Sequence, residues 1–140
     1  MESSILRFQN AQDGVYASAL RELRLGRKQG HWMWFIFPQL RGLGHSHASR
    51  YYGLTGMAEA AEYLRHPVLG ERLIECTRAV LDHKDRSLAA IFGSPDDMKF
   101  GSCMTLFSLV PDAPPDFKEA IDHLLGGVPD AATIALLGRE

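Results

Sequence analysis

Residues 31–39, HWMWFIFPQ, set four aromatic and two aliphatic side chains at 32–37 between His31 and the pair Pro38-Gln39. Whether this run is a strand or a helix decides the fold. Both tryptophans of the chain fall within it, at 32 and 34. Periodicity leaves a buried strand and a two-turn helix open, because every position is apolar. The neighbouring segments settle the expectation in favour of helix, stopped near Pro38, since helical signals dominate them.

Working outward, the clearest periodic segment is Leu69, Leu73, Cys76 and Val80, spaced i, i+4, i+7, i+11, with Pro67 suited to the first turn. Tyr16, Leu20 and Leu23 repeat the pattern after a candidate Asp13 cap and before Gly26. Ser3 or Ser4 can cap a short helix carrying Ile5, Leu6 and Phe8. Thr55 can cap one with Met57, Ala61 and Leu64 on one face. Ser87 opens a short helix ending at Gly93. Ser94-Pro95-Asp96-Asp97 reads as cap, first-position proline and first-turn acids for a helix with Phe100, Met104 and Phe107 on one face. Residues 116–125 and 130–137 supply two more. The expectation is an all-α protein, one compact domain over 1–140 with seven to eight short helices.

At 140 residues with 46% hydrophobic and 23% charged residues, the chain can bury a core without disulfides or a metal. The net charge of −2 and the lack of a basic stripe argue against nucleic-acid and anionic-membrane partners. The first residues, MESSILRFQNAQ, lack the continuous apolar core of a signal peptide. Cys76 and Cys103, with no CxxC motif, read as reduced buried thiols. A cytoplasmic location is the expectation.

Four blocks carry a resemblance: Arg27-Lys28 with HWMWFIFPQL, HPVLGERL at 66–73, IFGSPDD at 91–97 and SCMTLF at 102–107. In order and approximate spacing they resemble the bacterial domain-of-unknown-function family numbered 1810, from about Ile5 to Leu137. The family more commonly has serine where this chain has Cys103. The resemblance implies a small, mainly α-helical single domain and no established activity. Some members carry the label calpastatin-like. Inhibitors of that kind are disordered and poor in apolar residues, whereas this chain has cap signals and a substantial apolar complement.

Candidate chemistry centres on residues 27–39. Rings at Trp32, Trp34, Phe35 and Phe37 fill a core on the bland reading. On the functional one, Trp32 or Trp34 walls a pocket. Arg27 and Lys28 suit a helix C-terminus, but with His31, Trp32, Trp34 and Gln39 they can form a small anion site. The leading expectation is therefore a small anionic metabolite bound around residues 27–39. A hydrolase acting on a nucleotide or ADP-ribose-type bond, with His31 or Asp97 as acid or base, is the first alternative. A protein-interaction or structural module with no small-molecule site is the second. No cofactor is implied. His45 and His47 lack a third metal ligand at a familiar spacing, and the phosphate-loop, dinucleotide and GxSxG signatures are absent.

Overall fold

The computed structural model describes residues 5–139, so the Ser3 or Ser4 cap lies outside the described residues. Among these residues there are ten helices and no strand. They are α1 (Leu6–Gln12), α2 (Tyr16–Arg24), α3 (Met33–Ile36), α4 (His47–Tyr51), α5 (Met57–Arg65), α6 (Leu69–Leu81), α7 (Leu88–Phe92), α8 (Asp96–Ser108), α9 (Asp116–Leu124) and α10 (Ala131–Leu137). The fold is all-α, as the sequence implies. The number of helices exceeds the seven to eight expected because segments as short as α3 and α4 close a turn each. Tertiary contacts, which periodicity does not report, hold such single turns.

The central helix is α8. Every residue from Phe100 to Phe107 is buried, although the sequence marks only one apolar face. A helix covered all round has neighbours all round, and α5, α7, α9 and α10 surround it. Its small polar residues bond back along the helix: Thr105 Oγ1 donates to the Gly101 carbonyl at 2.9 Å and Ser102 Oγ to that of Met98 at 3.2 Å. The α6 stripe is placed as its spacing predicts, with Leu69, Leu73, Cys76 and Val80 all buried and α2, α5 and α9 against the helix. Cys76 and Cys103 are both free and buried. Burial pushes the Cys76 thiol up to about 12 and raises that of Cys103 well above its ordinary value.

The 31–39 run proves to be a single helical turn rather than two. Trp32, Met33, Ile36 and Phe37 are buried, while Trp34 and Phe35 are half-buried on the other side. After Pro38 the backbone extends: the Leu54 N–H donates to the Gln39 carbonyl at 2.9 Å, and the Arg41 N–H to the Leu54 carbonyl at 2.8 Å. This forms one isolated parallel bridge between Leu40 and Leu54.

Three expected caps are corrected. Val15, not Asp13, precedes α2, and Asp13 instead pairs with Arg72 at 3.2 Å. Gly56, not Thr55, precedes α5; the Thr55 N–H donates to Glu59, inside the helix. Ser94 does not cap α8. Pro95 holds that position and its carbonyl accepts the Met98 and Lys99 N–H groups, while Asp97 Oδ1 accepts the Met98 N–H at 2.9 Å. The helix therefore begins one residue later than the serine-led motif indicates, beyond the reach of its hydroxyl. Ser46, Ser87 and Asp130 do act as side-chain caps, of α4, α7 and α10.

Candidate functional site

The basic turn after α2 is organised by an acid. Gly26, at φ 79°, takes the left-handed conformation that ends a helix at little cost. The chain then folds back over Glu22, whose Oε1 accepts the Gln29 N–H at 2.7 Å, the Gly30 N–H at 2.8 Å and the Trp32 indole N–H at 2.9 Å. Burial opposes the charge on Glu22, but these three donors and nearby Lys28 outweigh it and hold the carboxyl below its ordinary value.

Lys28 is turned inward. Its N–H donates to the Ile91 carbonyl at 2.7 Å, tying the turn to α7. Its ammonium, on a side chain only 9% exposed, lies 2.9 Å from Asp96 Oδ2, 2.6 Å from the Gly30 carbonyl and 5.1 Å from the Trp32 ring centroid. The other Asp96 oxygen receives Lys99 at 3.2 Å. One carboxylate thus holds two cations, leaving an excess positive charge in the triad. Burial works against ionised Asp96 as well, yet the hydrogen bonds and charges of Lys28 and Lys99 prevail and lower its pKa.

Lys99 also caps a ring: its Nζ lies 3.6 Å from the Trp34 centroid, a cation–π contact. Beside this pair opens a cavity of about 310 Å³, bounded by Trp34, Gln39, Lys99, Ser102 and Asp130, with Leu43, Pro95 and Met98 among its apolar lining. Gln39 is 7% exposed. Its backbone carbonyl is used by Leu54, but its side-chain amide makes no hydrogen bond among the described residues, and no buried side-chain polar atom is left sealed without a partner. The amide therefore reaches the cavity surface. Asp130, also in the lining, accepts at Oδ2 the Ser102 hydroxyl at 3.2 Å, the Thr133 N–H at 3.0 Å and the Thr133 hydroxyl at 2.6 Å.

A second groove, about 440 Å³, shares Met98 and Asp130 with the first and includes Asp97 in its wall. No group of three or more His, Cys, Asp or Glu residues able to hold a metal occurs among the described residues.

Among the six ligand-binding candidates named from sequence, Trp34 and Gln39 line the 310 Å³ cavity. Lys28 and Trp32 lie behind it, joined to Asp96 and Glu22. Arg27 and His31 are exposed and are not among its lining residues. Of the catalytic candidates, His31 is thus at the surface and Asp97 borders the neighbouring groove. Sequence reasoning missed Glu22, Ser102 and Asp130, and it offered Lys99 as a partner of the Asp96-Asp97 pair, as observed, without placing it in the site. For Lys99 a signal existed: it stands three residues after Asp96, where helical side chains meet.

The two lowered carboxylates have a consequence for acid stability. Groups ionising more readily when folded contribute stability above their unfolded values, around pH 4, and lose it as pH falls through the folded ones. Urea midpoints should therefore drop as pH is lowered below about 4. Asp96→Asn should flatten that dependence and cost about 1.5–3 kcal/mol at pH 7, the range for hydrogen bonds to charged groups. An unchanged acid profile in the variant contradicts the role given to Asp96.

No helix among the described residues is long and apolar enough to cross a membrane. No functionally curated protein matches the chain. The fold is similar to the crystal structure of the conserved hypothetical protein Rv1873 from Mycobacterium tuberculosis, with 51% identity, a TM-score of 0.93 and 96% of each chain covered. Residues 2–137 match the model of the family described as "Protein of unknown function (DUF1810)". The helical blocks, their order and the near-complete overlap with that family make this chain a member of it.

Proposed function

We propose that the protein binds a small organic anion in the cavity between Trp34, Gln39 and Lys99. The observation that carries this reading is Gln39, a mostly buried residue at the wall of a cavity whose side-chain amide makes no hydrogen bond among the described residues and is accessible there. An accessible amide held by no protein group offers a donor and an acceptor to whatever enters the cavity. Lys99, the cation among the cavity's lining residues, sets the sign of the charge at its end of the cavity. Trp34 offers a partly open ring to a flat ligand. The charge that the sequence assigns to Arg27 is in this reading delivered by Lys99, and the orienting role falls to Gln39 alone.

The test is a titration of tryptophan fluorescence with inorganic pyrophosphate and with sugar and nucleoside phosphates. Binding should quench Trp34 and weaken with salt. Lys99→Gln should reduce affinity by roughly 10–100-fold, equivalent to about 1.5–3 kcal/mol for a charge-assisted hydrogen bond. Arg27→Ala should change it little. No saturable binding by any anion, or binding lost in Arg27→Ala and kept in Lys99→Gln, contradicts the proposal.

A further inference from the structure

Within that reading, on which this step rests, we infer that the cavity is built for a nucleoside phosphate: a planar heterocycle, a hydroxyl-bearing link and an anionic end. The amide of Gln39, a lining residue of the cavity, carries a carbonyl acceptor and an NH₂ donor side by side in one plane, and neither is hydrogen-bonded among the described residues. A ligand group that satisfies both must itself carry a donor and an acceptor side by side in a plane. Nucleobase edges do so, and glutamine pairs with adenine in this two-point manner. A bare phosphate or carboxylate offers acceptors only and leaves the Gln39 carbonyl without a donor.

The rest of the wall orders the remaining parts. Asp130 Oδ2 is engaged by Ser102 and Thr133, whereas Oδ1 takes no hydrogen bond among the described residues. A free carboxylate oxygen repels an anion and accepts a hydroxyl, so the anionic end belongs away from Asp130. Lys99 is the cation lining the cavity, and the phosphate belongs there. Hydroxyls of a sugar suit the Asp130 side. Space is adequate: about 310 Å³ lies at the small-ligand end of ordinary pockets, and the adjoining groove of about 440 Å³ shares the Met98 and Asp130 border.

The experiment is titration calorimetry on the full chain with ribose 5-phosphate, adenosine and the four common nucleoside 5′-monophosphates. At least one nucleotide should bind about 10–100-fold more tightly than ribose 5-phosphate, the discrimination a two-point base contact provides. Gln39→Leu, with Gln39→Met as a second and near-isosteric variant, should erase that preference. Either variant should weaken nucleotide binding far more than ribose 5-phosphate binding, with folding checked by circular dichroism. If ribose 5-phosphate binds as tightly as every nucleotide, or if both variants keep the preference, the nucleoside assignment is overturned while the anion site stands. If neither the sugar phosphate nor any nucleotide binds, the anion site itself fails, and this inference with it.

Discussion

Phe37→Ala is expected to destabilise the protein by about 3–5 kcal/mol, the cost of emptying a fully enclosed aromatic site. The ring is 1% exposed. It meets Phe100 edge-on at 5.1 Å between centroids, Phe92 edge-on at 5.8 Å and Trp32 at 6.4 Å. These contacts join the end of α3 to α7 and α8, so no single element can shift to close the void. For a domain of this size each kcal/mol lowers the melting temperature by roughly 2–4 °C, and a fall of roughly 6–20 °C should be visible by calorimetry. Trp34→Ala should cost less, because that ring is half-buried at a cavity edge. Equal losses for the two variants would make Trp34 a core ring and remove it from the site.

Gly70→Ala is expected to be comparably severe, at about 3 kcal/mol or more, through overpacking rather than loss. A Cβ at Gly70 comes within 2.0 Å of the Leu64 carbonyl oxygen. The obstacle is backbone, in the last turn of α5, so no side-chain rotation relieves it. The α5–α6 corner is tight for a further reason: His66 Nδ1 accepts the Val68 and Leu69 N–H groups at 3.2 Å each. Alanine normally favours a helix over glycine by roughly 1 kcal/mol. A neutral or stabilising result in urea unfolding would therefore show that the two helices are free to separate.

Helical periodicity makes α6 legible in the sequence because one face is buried and the other is wet. It places α8 through Phe100, Met104 and Phe107 but not its burial on every side, and it fails for the 31–37 run, where unbroken apolarity gives no period at all. The short turn α7 is signalled by its serine cap, Ser87. Ser94 misleads because the backbone starts α8 beyond it.

The site is half legible. Trp34 and Gln39 stand out as a ring and an amide bounding one apolar run. The identity of their cation does not, since Lys99 is sixty residues away from Gln39 in the chain and reaches the cavity only because α8 is folded against it. Arg27 and Lys28 show the limit of adjacency: consecutive residues, yet Lys28 is drawn inward by Asp96 while Arg27 is left exposed.

The most direct measurement is a nuclear magnetic resonance titration that follows three side-chain N–H signals as a nucleoside 5′-monophosphate is added. The Gln39 amide and the Trp34 indole, which border the cavity, should shift in a saturable manner. The Trp32 indole, held by Glu22 behind it, should shift far less and serves as the internal control. Saturable shifts confined to Trp32 and the 27–31 turn, with Gln39 and Trp34 unmoved, would contradict the cavity as the binding site.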